Sequence, residues 1–169
     1  VWPKGAGWGA SQVLTIQSYP GETATFRSSI NDSIDIGAPN AVTGSWVEYL
    51  IFDGIIFDGS VYPNGLHKDF VKLDGGARFL RFQNCKFVGN PNAISVGIQW
   101  GDLDAAGTAQ ATDIEFLKNE VYNFSIYGFY VGGAGNILDG NYIHDNGGYG
   151  VHQYGSRHND FSNNIIRNN

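Results

Sequence analysis

The sequence is poor in basic residues, cysteine and long apolar runs, and each shortage excludes a class of protein. Ten Lys and Arg residues stand against sixteen Asp and Glu residues, for a formal net charge of −6. This balance leaves no basic stripe to neutralise phosphates, which argues against nucleic acid as a partner. The single cysteine, Cys85, excludes an internal disulfide framework and any multi-cysteine metal site. No apolar stretch approaches the roughly 18 residues of a membrane-spanning helix, so we expect no membrane span.

Methionine is absent as well, and the chain begins at Val1. Because translated proteins start with methionine, we expect residues 1–169 to be either a processed secreted protein or a portion of a longer chain. The composition nevertheless suits a folded domain, since hydrophobic residues make up 42 % of the chain. The 24 glycines are about twice the average share and require an explanation. The length suits one domain.

Apolar residues alternate over short stretches and do not recur at helical spacing. The stretches are bounded by Gly, Asn and Asp, a pattern that is typical of many short β-strands. Clear examples are YLIFDGIIFDG, FLRFQNCKFVG and IEFLKNEVYNF. The chain is therefore predicted to be all-β.

Five six-residue segments align on one pattern, which indicates that the strands form a repeat. They are IFDGII (51–56), FQNCKF (82–87), FLKNEV (116–121), LDGNYI (138–143) and FSNNII (161–166). The last column is apolar and contains Ile56, Phe87, Val121, Ile143 and Ile166. Two residues earlier lies a turn-compatible column of Gly54, Cys85, Asn119, Asn141 and Asn164. Its successive members are 31, 34, 22 and 23 residues apart, so the minimal unit has about 22 residues and the early units carry loop insertions.

A unit this short fits one rung of a parallel β-helix, in which equivalent residues stack on those of neighbouring rungs. Stacked apolar residues then build a continuous core. An Asn at each bend is expected both to adopt the left-handed conformation and to hydrogen-bond its amide to the next rung. The excess glycines are expected at sharp turns that need positive φ.

The C-terminal part of the chain resembles the repeats of right-handed parallel β-helix proteins of the pectate-lyase-like (polysaccharide-lyase-like) superfamily. The resemblance lies in N-x-I-x-x-N steps followed by a glycine-led strand, in NILDGNYIHDNGGYGVHQYGSRHNDFSNNIIRNN. The stretch TIQSYPGETATF is similar to the strand and turn with which many such proteins begin. The resemblance covers most of residues 12–169 and is specific for fold but not for function. It implies that the predicted all-β parallel β-helix is right-handed.

A second strand of each rung is predicted in FVKLDG, GIQWGD, GFYVGG and GVHQYG. We expect the apolar residues of these strands to face inward, namely Val71, Ile98, Phe129 and Val151. The residues that directly follow them then form one outward column, which consists of Lys72, Gln99, Tyr130 and His152. Aromatic rings beside amide and charged groups suit a carbohydrate, whose apolar face stacks on rings while its hydroxyls form hydrogen bonds.

Four residues of this surface are predicted to bind substrate: Gln99, Trp100, Tyr130 and Tyr154. Two alternatives remain open. Exposed sheets carry such side chains by β-propensity alone, and Trp100 has the parity of a core residue.

For enzymes of this superfamily, the resemblance implies β-elimination on a uronic-acid polymer. A Lys or Arg base removes a proton, and calcium or a cationic group stabilises the enolate. Lys72 and Arg157 are the base candidates here, and His152 or Tyr154 is the proton donor. The D-D-G-x-D calcium cluster of one pectate lyase group is missing, as is the N-T-D, D-D, G-H-G and R-I-K set of polygalacturonases. These departures weaken the enzyme interpretation.

Calcium is the metal that the composition favours, because carboxylates are abundant and thiols are not. Asp102 and Asp104, spaced D-x-D, are its predicted ligands, and a simple polar turn is the alternative. Zinc is not expected, because the histidines fall in different columns of the repeat: His144, His152 and His158.

We therefore expect a single β-helix domain over residues 1–169, with residues 1–11 covering its N-terminal end. The rung that ends at Asn169 is open, so we expect either further rungs or end-to-end contact with another subunit. The first predicted function is a secreted or extracellular protein that binds, and as a lyase cleaves, an acidic polysaccharide. The second is a non-catalytic structural or adhesive scaffold, which the negative net charge favours.

Overall fold

A computed structural model describes residues 13–29, 34–37, 47–65, 67–73, 76–100 and 111–169. These residues form seventeen strands and contain no helix. In chain order the strands are β1 (Leu14–Gln17), β2 (Thr25–Arg27), β3 (Ile34–Ile36), β4 (Val47–Asp53), β5 (Ile56–Asp58), β6 (His67–Leu73), β7 (Ala77–Gln83), β8 (Lys86–Val88), β9 (Ile94–Trp100), β10 (Thr112–Leu117), β11 (Glu120–Tyr122), β12 (Tyr127–Val131), β13 (Ile137–Asp139), β14 (Tyr142–His144), β15 (Tyr149–Gln153), β16 (Asp160–Ser162) and β17 (Ile165–Arg167).

Each rung of the chain contributes one strand to each of three sheets. Sheet A has the order β1-β4-β7-β10-β13-β16, sheet B has β2-β5-β8-β11-β14-β17, and sheet C has β3-β6-β9-β12-β15. Every strand pairing is parallel and joins a strand to its equivalent one rung away. The prediction of an all-β parallel β-helix is therefore confirmed.

The core consists of aromatic rings stacked along the solenoid axis. Phe52, Phe82 and Phe116 have ring centroids 4.8 and 4.7 Å apart and lie nearly parallel. Their spacing matches the strand separation of about 4.8 Å, because equivalent residues of successive strands lie directly above one another. All three side chains are fully buried. Burial of each contributes roughly 1.5–3 kcal/mol to stability.

The predicted alignment of the first repeat segment is wrong by one residue. Phe57, not Ile56, pairs with Phe87, and Ile55 occupies the turn column that was assigned to Gly54. Ile55 is buried, whereas Gly54 has a φ of 67°. Gly54 supplies the left-handed conformation one residue before the turn column. Aligning Gly54 with Asn119 therefore shifts the predicted strand register by one residue.

The Asn column hydrogen-bonds from rung to rung as predicted. The Nδ2 of Asn141 donates to the carbonyl of Phe116 at 2.8 Å and to Oδ1 of Asn164 at 2.9 Å. Its Oδ1 accepts from the backbone N–H of Asn119 at 2.9 Å. The Asn141 amide therefore satisfies two backbone groups of the preceding rung and bonds to the amide of the next rung, which fixes the register between rungs.

The left-handed conformation predicted for these asparagines belongs to the preceding residue instead. The φ values in that preceding column are 54° at Asn84, 56° at Lys118, 66° at Gly140 and 53° at Asn163. The turn thus separates two roles. One residue reverses the chain on the outside, and the buried Asn after it joins the rungs.

Two further ladders occupy the other corners of the solenoid, and in each a left-handed residue precedes the ladder position. In both, a side-chain Oδ1 accepts the backbone N–H of the equivalent residue one rung earlier. The pairs are Ile114 with Asn136, Asn136 with Asn159, Phe124 with Asn146, and Asn146 with Asn169. All three corners therefore use the same two positions: a residue with positive φ, followed by a residue that hydrogen-bonds to the neighbouring rung.

Removal of one ladder amide is expected to destabilise the protein strongly. Asn119→Ala leaves the backbone N–H of Cys85 and the carbonyl of Phe82 without their partner in a buried turn. Because each buried unsatisfied group costs about 1–3 kcal/mol, we expect a loss of about 3 kcal/mol in the free energy of unfolding. Urea denaturation measures it.

The matched control lies one residue earlier in the same turn. Lys118 is exposed and has positive φ, so Lys118→Gly removes strain without touching the ladder. We expect its unfolding free energy to change by less than about 1 kcal/mol. Equal losses in the two variants would contradict a special role for the amide.

Cys85 is the first polar member of the Asn119 column and is itself buried. Its backbone N–H donates to Oδ1 of Asn119 at 2.9 Å, and its Sγ contacts the carbonyl of Gln83 at 3.2 Å. Burial raises the pKa of the Cys85 thiol to about 11. The thiol is therefore a small core group.

Cys85 is expected to resist thiol reagents in the folded protein. Its thiolate fraction at a pH of about 8 is far below that of a free cysteine, and the sulfur is buried. An aromatic disulfide reagent should titrate no thiol in the native state and one thiol per chain in strong denaturant. Rapid native labelling would contradict the described packing.

Candidate functional site on sheet C

The outward column predicted on the second strand of each rung is present on sheet C. Lys72 pairs with Gln99, Gln99 with Tyr130, and Tyr130 with His152 in the strand register. Asp35 extends the column beyond Lys72. The predicted alignment of the four residues is therefore confirmed, and all four are partly exposed.

Five aromatic side chains gather at the end of sheet C that contains β12 and β15. We call them the sheet C aromatic cluster: Tyr127, Tyr130, Tyr149, His152 and Tyr154. The rings of Tyr127 and Tyr149 stack with centroids 5.5 Å apart. The ring of Tyr130 lies 6.1 Å from those of Tyr127 and Tyr154. Tyr149 is 61 % exposed and Tyr154 is 54 % exposed, so the cluster presents apolar ring surface to solvent.

His152 lies at the centre of this cluster. Its imidazole is edge-on to Tyr127 at 4.8 Å and to Tyr130 at 5.0 Å, with Tyr149 at 5.6 Å. Its Nδ1 is enclosed and has no hydrogen-bond partner among the described residues. The rings thus fix the imidazole by packing, with no carboxylate or carbonyl bound at Nδ1.

A glycine column explains how the strands of sheet C approach so closely beside the cluster. A Cβ on Gly97 would lie 2.6 Å from the carbonyl oxygen of Gly128, and one on Gly128 would lie 2.8 Å from that of Gly150. Any side chain at these positions would push the strands apart. Gly128 and Gly150 directly follow Tyr127 and Tyr149, so these glycines allow the two rings to stack.

Of the two predicted bases, Lys72 lies far from the predicted proton donor His152. Lys72 and His152 are three strand spacings apart, each about 4.8 Å, which gives roughly 14 Å between their backbones. A general base and acid must both lie within hydrogen-bond reach of the same linkage. Arg157 lies in the turn between β15 and β16, where its backbone N–H donates to Gly133 at 3.1 Å.

The substrate-binding prediction for Trp100 is wrong. Its side chain is fully buried and stacks on Phe116 at 5.2 Å, and it meets Phe129 edge-on at 5.9 Å. The inward parity of Trp100 on β9 is the physical reason. Gln99, Tyr130 and Tyr154 remain on the surface side of sheet C.

The predicted calcium ligands, Asp102 and Asp104, lie outside the described residues. Within the described ranges, no group of three or more His, Cys, Asp and Glu side chains is placed to hold a metal ion. His144 is on sheet B, His152 on sheet C and His158 in the turn before β16. Their predicted distribution over different columns is therefore confirmed.

Sequence reasoning missed Tyr127 and Tyr149, which form the stacked pair of the cluster. A signal for them exists, because the two tyrosines are 22 residues apart and each precedes a glycine-led strand. The 22-residue repeat thus places them in one column. Strict alternation from Phe129 puts Tyr127 on the inner face, and the close packing at Gly128 breaks that alternation.

Comparison with known families supports the fold. A family model described as "Right handed beta helix region" matches residues 104–169. Comparison with curated proteins and with solved structures gives no match. In the described part of the chain, no helix is long and apolar enough to cross a membrane. The matched repeats and the three all-parallel sheets identify the chain as a right-handed parallel β-helix.

Proposed function

We propose that this β-helix binds a polysaccharide through the outer face of sheet C. The observation that carries the proposal is the sheet C aromatic cluster, in which exposed tyrosine rings surround His152. Tyr149 and Tyr154 present ring surface to solvent, and sugar rings stack on such surfaces. Gln99 and Lys72 continue the column with groups that hydrogen-bond hydroxyls or carboxylates.

The geometry of the column suits a chain polymer. Its residues recur at one strand spacing along the solenoid axis, so a bound chain aligned with that axis meets one side chain after another. A repeated ligand on a repeated surface gains affinity from several weak contacts at once. An acidic polymer is the proposed class, with its carboxylates placed toward Lys72.

Binding is proposed ahead of cleavage. Roughly 14 Å separates the backbones of Lys72, one of the two predicted bases, and His152, one of the two predicted proton donors. A lyase reaction at this face would instead need Arg157, the other predicted base, to act with His152 or Tyr154. A purely structural scaffold is the alternative that the following experiment separates.

Loss of a cluster ring is expected to weaken polysaccharide binding. We expect Tyr149→Ala and Tyr130→Ala each to lower the affinity about tenfold, since each removes an aromatic contact. Affinity electrophoresis in gels containing polygalacturonate, alginate or a neutral glucan measures the effect.

The control is Tyr19→Ala, because Tyr19 is 73 % exposed and lies between β1 of sheet A and β2 of sheet B. Its affinity should equal that of the unsubstituted protein. If no gel retards the protein, the polysaccharide proposal is wrong and the structural scaffold is the function. If Tyr149→Ala binds with unchanged affinity, the sheet C aromatic cluster is not the binding site.

The distance between Lys72 and His152 also predicts a negative result. Incubation with acidic polysaccharides, with and without calcium, should produce no ultraviolet absorbance from unsaturated uronate ends. A signal that disappears in His152→Ala but persists in Lys72→Ala would show that the cluster cleaves its ligand. A signal lost in Lys72→Ala would restore Lys72 as the base.

A further inference from the structure

A groove lies on the outer face of sheet A, and none of its lining residues belongs to the sheet C aromatic cluster. It has a volume of about 430 Å³ and crosses the rungs of β1, β4, β7, β10 and β13. Five rungs at about 4.8 Å make it roughly 19 Å long along the solenoid axis. Its lining includes Val13, Tyr49, Phe79, Arg81, Asp113 and Glu115.

Two aromatic residues of this groove have an unfavourable backbone conformation. Tyr49 has a φ of 60° and Phe79 a φ of 52°, and their rings stack 5.1 Å apart. The equivalent residues in the next three rungs are Asp113, Gly135 and His158, of types that tolerate positive φ better. Phe79 is 42 % exposed, so core packing does not account for its ring. This corner has positive φ in every one of these rungs, so the unusual feature is the residue type: two bulky aromatic residues occupy a conformation that strains them. Such strain is characteristic of ligand-binding positions.

Charged groups lie beside the aromatic pair. Arg81 and Glu115 form an ion pair on neighbouring strands, and both side chains remain partly exposed. Asp113 accepts a hydrogen bond from the hydroxyl of Thr112 at 2.9 Å. A Cβ on Gly135 would lie 2.7 Å from Oδ1 of Asp113, so glycine at this position makes room for the carboxylate.

We propose that the sheet A groove binds a segment of a neutral oligosaccharide. Its length suits a ligand of several units, and the Tyr49 and Phe79 rings provide stacking surface. Asp113, Glu115 and Arg81 offer acceptors and donors for hydroxyl groups. Two carboxylates against one guanidinium disfavour a polyuronate, which distinguishes this groove from the acidic ligand proposed for sheet C.

An extended peptide fits the groove less well. Peptides that join a β-sheet add to an exposed edge and use its free backbone groups. The floor of this groove is the face of sheet A, where neighbouring strands already pair with one another. A peptide would therefore have only side-chain contacts, whereas a sugar needs only rings and polar side chains.

The test combines binding with thermal stability. Phe79→Asn and Tyr49→Asn remove the rings and introduce a residue that tolerates positive φ. We expect each variant to lose affinity for neutral hexasaccharides about tenfold while its Tm stays unchanged or rises. Calorimetric titration with cellohexaose, xylohexaose and mannohexaose measures affinity, with a galacturonate hexamer and an uncharged hexapeptide as comparison ligands.

The variant Tyr130→Ala separates this inference from the proposed function of sheet C. It should retain full affinity for the neutral hexasaccharide, and the Phe79→Asn variant should retain binding to acidic polymers. Three results would overturn the sheet A inference: no binding of any neutral hexasaccharide, tighter binding of the hexapeptide, or a lowered Tm with unchanged affinity in Phe79→Asn.

Discussion

The hydrogen bonds of the side-chain amides at the corners hold this solenoid in register. Parallel strands of three residues, such as β13 and β14, are too short to fix their own alignment. Asn141 fixes it by bonding at once to a backbone carbonyl, a backbone N–H and the next amide. A slip of one residue would break all of these bonds and turn each apolar side chain outward.

Register in turn decides what lies inside and what lies outside. Because equivalent residues superpose, Phe52, Phe82 and Phe116 become one stack, and Gln99, Tyr130 and His152 become one outward column. The core and the candidate binding face are thus two consequences of the same alignment. A surface built in this way is linear and periodic, and this regularity is the basis for proposing a polymer as its ligand.

The repeat can be recognised from the sequence where the residue that hydrogen-bonds between rungs is an asparagine. Asn119, Asn141 and Asn164 mark their column directly, whereas Ile55 fills the same position with an apolar side chain and misleads the alignment toward Gly54. The alternation of inward and outward side chains predicts the sheet C column correctly. It places Tyr127 on the wrong face, because close packing at Gly128 interrupts the alternation there. The sheet A groove depends on Tyr49 and Phe79 at positive φ, and nothing in residue type predicts that backbone conformation.

The three corner ladders make the later rungs interchangeable. The rung from Asn136 to Asn159 meets its neighbours through the same bonds at every corner as the rung beside it. Duplication or deletion of such a unit would therefore keep the hydrogen bonds at all three corners. Gene duplication could therefore lengthen the solenoid in whole steps of about 5 Å while the corner hydrogen bonds stay the same.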